Sequence, residues 1–292
     1  TPQFIADHIG IDLVPSQFGG TNYAVGAHRS ADTLASITAD APYNQVSGDF
    51  PTPLNSLFFD LNRSGRSLDT NALYIVEGGG NDLGALPGGN DIGAALNSFD
   101  LTLLDPIVPN LIASVEALVD NGANYIVLVD VPNFASSPTA GALPDAIQDI
   151  VTTEVLALND QLRTEVASID GNIILLDTYG FSEELFSNPS AFGFTLSPED
   201  LQGNCFDRSR FGCAGSSPDG SRDSANPDPD QFFFNDPLHF TTLGNKIFSD
   251  YFISILSAGS ELALLPSLAM DSVQAQWQAA RPTMRANLGA VI

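Results

Sequence analysis

The sequence predicts an α/β sandwich with a parallel sheet, on two observations. The first is a set of three apolar runs rich in β-branched residues, "NALYIVEG" (71–78), "NYIVLVDVP" (124–132) and "NIILLDTYG" (172–180). They are near-continuous rather than alternating, the pattern of strands covered on both faces. The second is what separates them, since each gap holds one long amphipathic segment. Strand, helix, strand, helix, strand requires crossover connections, and these make neighbouring strands parallel.

Taken in chain order, "GTNYAVGA" (20–27) is a short candidate strand that precedes the three long ones. Between the first two long runs lies "DPIVPNLIASVEALVDNG", where Leu111, Val115, Leu118 and Val119 follow a helical period and Asn121-Gly122 supplies the stop. Between the second and third lies "LPDAIQDIVTTEVLALNDQLRTEVASIDG", a second amphipathic helix that also ends at a glycine. Residues 181–235 are rich in Gly, Pro and Asp, the composition of a long insertion near a site. "DPLHFTTLGNKIFSDYFISIL" then runs from a turn into a last helix. We expect one domain over residues 1–259, with 260–292 a helical tail or linker.

Composition narrows the function classes. The chain has 292 residues, enough for a sizeable core, and carries a formal net charge of −25. Only Lys246 of its ten basic residues is a lysine. Such a surface repels phosphate backbones and anionic lipid, so nucleic acid is excluded as a partner and the acids read as a solvated, salt-tolerant surface. No apolar run reaches the ~18 residues of a membrane-spanning helix.

Cys205 and Cys213 stand close together in "NCFDRSRFGCAG". A zinc site wants four ligands, and no histidine stands nearby, so a disulfide is the expectation. Such a bond places the protein in an oxidising compartment.

The chemistry-bearing residues are few. Of three histidines, His239 follows Asp236 in "NDPLHFTTLG", at the mouth of the last helix. Acyl transfer needs an imidazole as base and a carboxylate to hold its tautomer, and a D-x-x-H turn can present both on one side. The same pair also fits a helix cap beside a surface histidine. "GGGNDLGALPGGNDIG" (78–93) contains GGND twice, nine residues apart. A calcium β-roll would need more stacked copies in a different register, so no metal site is expected. The first copy directly follows a strand, which puts Asn81 beyond a carboxyl end, where ligands bind in open α/β sheets. An amide there can donate to a developing oxyanion, although Asn-Asp among glycines is also ordinary turn chemistry.

These pieces together resemble the GDSL esterases and lipases, also called SGNH hydrolases. "NYAVGAHRS" looks like that family's second block, "VEGGGNDLG" like its third and "NDPLHFTTLG" like its last. The resemblance spans residues 1–258 and implies a three-layer α/β/α sandwich with a flavodoxin-like sheet. It implies His239 as general base, Asp236 as its orienting acid, and Asn81 as an oxyanion-hole donor assisted by the backbone around Gly26 and Ala27. No cofactor is implied, and the substrate is a small-molecule or lipid carboxylic ester.

The likeness is strongest to the passenger domains of surface-anchored autotransporter esterases. It therefore implies a secreted or cell-surface location in a Gram-negative-type bacterium, with an outer-membrane barrel C-terminal to the tail.

Two departures stand out. Ala27 occupies a position where the family usually has glycine, and no Gly-Asp-Ser occurs anywhere in the sequence. In the family that serine ends the first, central strand. The expectation is thus a fold whose first strand and nucleophile lie outside this chain, on a preceding segment or separate fragment, leaving the chain alone inactive. The alternative is a non-catalytic surface module that keeps the fold for binding or adhesion. Asp236, His239 and Asn81 together favour the enzyme, because a binding module has no need of that trio.

Overall fold

The computed structural model describes residues 2–46, 52–85, 101–141, 143–195, 232–235 and 238–263. In chain order the principal elements are α1 (Pro2–Ile9), α2 (Ser30–Thr38), α3 (Leu57–Ser64), β1 (Leu73–Val76), α4 (Gly80–Ala85), α5 (Ile107–Asp120), β2 (Tyr125–Val129), α6 (Asp145–Val166), β3 (Ile173–Leu176), α7 (Thr178–Ser187) and α8 (Thr242–Ala263). They fall into two compact units. One comprises Leu13–Phe134 with Ile150–Thr178, and the other Thr1–Asp12, Ala135–Asp149 and Tyr179–Ile292.

The first unit holds the sheet. Its strands are parallel in the order β1-β2-β3, with Leu73 opposite Tyr125 and Ile126 opposite Ile173. Successive strand side chains alternate faces, yet Ile126, Val127, Leu128 and Val129 are only 1%, 1%, 0% and 6% exposed. Both faces of β2 are therefore covered, as its uninterrupted apolar run predicts. Among the described residues no strand pairs with the other edge of β1, and Ile75 in that strand is 40% exposed.

Helix α5 turns Ile107, Leu111, Val115 and Leu118 into the core, all but fully buried, and packs on α2. It ends where the sequence indicates, with Gly122 at φ +92° in the left-handed region that favours glycine. Two side chains tie down the C-terminal end of β2. Asn159 of α6 accepts from the Val131 N–H at 2.9 Å and donates to its carbonyl at 2.8 Å, as a neighbouring strand would. The buried Asp130 carboxylate accepts from the Thr178 N–H at 2.8 Å and from its hydroxyl. That hold starts α7 at Thr178 and ends the third strand sooner than the run 172–180 suggests.

"GTNYAVGA" differs from expectation. It forms no strand, and its one ladder contact is an isolated bridge between Pro15 and Asn22. The tight loop closing that bridge brings Gly20 so near Val14 that a Cβ would lie 1.9 Å from the Val14 carbonyl oxygen. Beyond it the chain turns at Gly26 and Ala27.

The second unit packs α1 against α8 and gathers an aromatic core. Phe181 stacks on Tyr251 with ring centroids 4.4 Å apart, and Phe186 meets Phe233 edge to face at 5.4 Å. Cys205, Cys213 and the second GGND copy lie outside the described residues.

Candidate active site

Strand β1 leads into the glycine run. Gly79 has φ +95°, and a Cβ there would come within 3.1 Å of Ile107 Cγ2 and 3.3 Å of Val131 Cγ2. A Cβ at Gly78 would meet Leu111 Cδ2 at 2.9 Å and Thr33 Oγ1 at 3.0 Å. The loop thus passes against α5 and α2 at a distance that only glycine allows, before α4 begins at Gly80.

The first turn of α4 places adjacent residues in opposite environments: Asn81 is exposed and Asp82 is buried. Both reach the start of α2. Asn81 Nδ2 donates to the His28 carbonyl oxygen at 2.8 Å. Asp82 accepts from the Ser30 N–H at 2.8 Å and the Ser30 hydroxyl at 3.0 Å, while Asn110 Nδ2 donates to that hydroxyl at 3.1 Å. Burial pushes the Asp82 carboxyl above its ordinary range, and the two bonds from Ser30 oppose the rise.

The turn before α2 carries the other predicted backbone donors. Ala27 has φ +61°, the one non-glycine residue in the left-handed region among the described residues. The substitution noted in the sequence therefore falls where the backbone favours glycine, at a cost of about 1–2 kcal/mol. Its N–H has no acceptor among the described residues. His28 is buried against Tyr43, with ring centroids 6.1 Å apart, and its Nε2 has no partner among the described residues. Burial lowers its pKa and nearby Asp32 opposes that shift.

The predicted base lies in the second unit. His239 is exposed and directly precedes Phe240, which forms an antiparallel bridge with Phe234. Its carbonyl accepts from the Asn235 N–H at 2.7 Å. Thr241 anchors the bridge to α8: its hydroxyl donates to the Phe232 carbonyl at 2.8 Å and accepts from the Gly244 N–H at 3.0 Å. A Cβ on Gly244 would lie 2.6 Å from the Phe233 carbonyl oxygen, which accounts for that glycine. Asp236 lies outside the described residues.

The structure thus brings Asn81 to the Gly26–His28 turn and sets His239 beside the Phe234–Phe240 bridge. Sequence reasoning missed the His28 carbonyl and the Asp82–Ser30–Asn110 network. A carbonyl leaves no mark in the sequence, and Asp82 reads there as part of a turn.

The comparisons address what such an arrangement belongs to. The family model described as GDSL-like lipase/acylhydrolase matches residues 1–252. The chain belongs to this GDSL family. It is 32% identical over 268 residues to a protein of Pseudomonas aeruginosa named "Esterase EstA" and, at the same figures, to one so named in Pseudomonas putida. Each alignment covers 89% of this chain and 39% of the relative. "Lipase 1" of Photorhabdus luminescens is 24% identical over 330 residues, covering 90% of this chain and 46% of the relative. The chain therefore spans less than half the length of these relatives. The α/β architecture with its open parallel sheet is that of a GDSL, or SGNH, hydrolase.

Proposed function

We propose that this chain supplies the base and the oxyanion donors of a serine ester hydrolase that works through an acyl-enzyme. The observation that carries the reading is Asn81: it stands just past the carboxyl end of β1, with its amide nitrogen bound to the His28 carbonyl at 2.8 Å. An amide nitrogen has two hydrogens, so this tether fixes the plane of the group and leaves one donor to offer.

In the proposed reaction a serine Oγ attacks the ester carbonyl and His239 takes its proton. Negative charge moves onto the carbonyl oxygen, which accepts from Asn81 Nδ2 and the Ala27 N–H, with Gly26 supplying the turn. The C–O bond to the alcohol then breaks, and His239 gives the proton to the leaving oxygen. A water, deprotonated by His239, then adds to the acyl carbon, the bond to the serine oxygen breaks, and His239 returns the proton to that oxygen as the acid leaves. Asp236 holds the His239 tautomer throughout, and no metal or cofactor enters.

The nucleophile lies outside residues 1–292 in this account. No Gly-Asp-Ser occurs in the chain, and the edge of β1 that no strand pairs with among the described residues, beside the part-exposed Ile75, offers a parallel strand its place. The hydrolase domain occupies residues 1–259, followed by a helical tail or linker toward an outer-membrane barrel. The site of action is the surface or medium of a Gram-negative-type bacterium, where Cys205 and Cys213 are joined. Among the described residues no helix is long and apolar enough to cross a membrane.

The test is labelling by a fluorophosphonate, with the adduct located by peptide mapping. The chain alone should not label, and a polypeptide restoring upstream residues should label at a new serine while hydrolysing short-chain aryl esters. An adduct on one of the chain's own serines would refute the missing nucleophile, and a restored polypeptide that neither labels nor hydrolyses esters would refute the hydrolase.

A further inference from the structure

We propose that Gln45, which lies outside every family-like motif, is a positioning residue that aims the Ala27 N–H at the oxyanion. The inference rests on the hydrolase reading above and names a group that this reading does not contain.

The argument begins with the peptide bond between Gly26 and Ala27. The Gly26 carbonyl and the Ala27 N–H belong to one planar trans unit and point in opposite directions, so fixing the oxygen fixes the hydrogen. One long backbone bond, from the His28 N–H to the Val25 carbonyl at 3.4 Å, closes the turn around that plane. Gly26 is exposed, and a Cβ built there would meet nothing within 4 Å. Gln45 supplies the hold: its Nε2 donates to the Gly26 carbonyl oxygen at 2.8 Å, across nineteen residues of sequence. A bond accepted at the carbonyl also polarises the amide at the other end of the unit, making its hydrogen a better donor.

Gln45 itself sits on a fixed base. Tyr43 pairs with Leu54 through backbone bonds of 2.9 and 2.8 Å. On the other side, the Val46 N–H donates to Asp32 Oδ1, and Asp32 Oδ2 accepts from the Arg29 N–H at 3.0 Å. The segment bearing Gln45 is thus tied to the start of α2, the element that follows the Gly26–Ala27 turn.

Two further observations favour aiming over mere packing. Gln45 is only 5% exposed, and its Oε1 is buried with no partner among the described residues. Burying an amide oxygen without a partner is unfavourable, and a methionine of similar size would avoid it. What the amide adds is its donor, and that donor goes to Gly26. The peptide so held presents an N–H that has no acceptor among the described residues.

The test uses Gln45→Met and Gln45→Glu, with Asn81→Ala as comparator, in a polypeptide that hydrolyses p-nitrophenyl butyrate. Alanine-specific ¹⁵N labelling of the 292-residue chain adds a readout independent of activity. With Gln45→Met, kcat should fall about tenfold, less than the loss of an oxyanion donor itself. KM should stay within about twofold, because the interaction strengthens only in the transition state. The Ala27 amide resonance should move.

Gln45→Glu should lose kcat at neutral pH, where a carboxylate faces the Gly26 carbonyl. It should regain part of it on acidification, when the protonated acid donates in place of the amide. Taking the ratio to wild type removes any pH dependence that the two proteins share. Unchanged kcat in a well-folded Gln45→Met, a loss carried by KM, or an unmoved Ala27 resonance would each overturn the proposal. If Asn81→Ala leaves kcat intact, the hydrolase reading fails separately, and the Ala27 resonance still reports whether Gln45 holds the peptide.

Discussion

Asn81 donates to the carbonyl of His28 at 2.8 Å, joining the loop after β1 to the turn before α2 across 53 residues of sequence. One bond thus fixes an exposed amide beside the left-handed Ala27. If the amide serves as an oxyanion donor, Asn81→Ala should lower kcat on short-chain aryl esters by about 10²–10³-fold in any active form. Its melting temperature should change little, because the side chain is exposed and Asp82 still anchors α4. Steady-state kinetics beside a thermal melt separate the two effects.

The glycine run divides into required and dispensable members. Gly79→Ala must adopt φ +95° and push on Ile107 and Val131, so it should destabilise by about 1–3 kcal/mol. A Cβ on Gly80 meets nothing within 4 Å, and Gly80→Ala should be neutral within about 0.5 kcal/mol. Chemical denaturation of the two variants checks the contrast, and equal effects would contradict it.

Ala27 makes the opposite case, a residue with a Cβ at φ +61°. Ala27→Gly should relieve the backbone at the expense of unfolded-chain entropy, leaving stability within about 1 kcal/mol of wild type. Ala27→Val places a branched side chain where the left-handed region tolerates it least, and should destabilise by more than about 2 kcal/mol. Both follow from melts, with no need of activity.

Asp82 gives a pH dependence of unusual sign. Burial raises its folded pKa above the ordinary value of 3.8, so the native chain holds that proton more tightly than the unfolded one. Its contribution to stability is complete below the ordinary value and declines as pH rises through the folded one. In Asp82→Asn the decline is absent. The melting temperature of wild type minus that of the variant should therefore fall as pH rises from about 4 toward 7. A difference that grows over that range would show that the bonds from Ser30, rather than burial, set the carboxyl.

The sheet was legible because β2 is covered on both faces. That demand writes an unbroken apolar run into the sequence, and a run flanked by Gly122 and a long amphipathic helix has few other readings. Strand ends were less legible: Thr178 leaves the strand because Asp130 takes its N–H, a contact between residues distant in sequence. "GTNYAVGA" misled for a related reason, since among the described residues its β-like residues have no neighbour to pair with beyond Asn22. Asn81 and His239 were proposed as site residues from motif and residue type, and they remain proposals. The groups that hold Asn81 and the Gly26–Ala27 peptide could not be read, because His28 acts through its carbonyl and Gln45 through a bond to a backbone oxygen.

The central claim is that His239 is the base of an ester hydrolase, and kcat of His239→Ala on a short-chain aryl ester tests it most directly. The measurement belongs in a polypeptide that labels with a fluorophosphonate, beside a thermal melt to establish folding. The account predicts a loss of about 10³-fold or more with the melt unchanged, since His239 is exposed beside a bridge made by the backbone. A folded His239→Ala variant with wild-type kcat would contradict it.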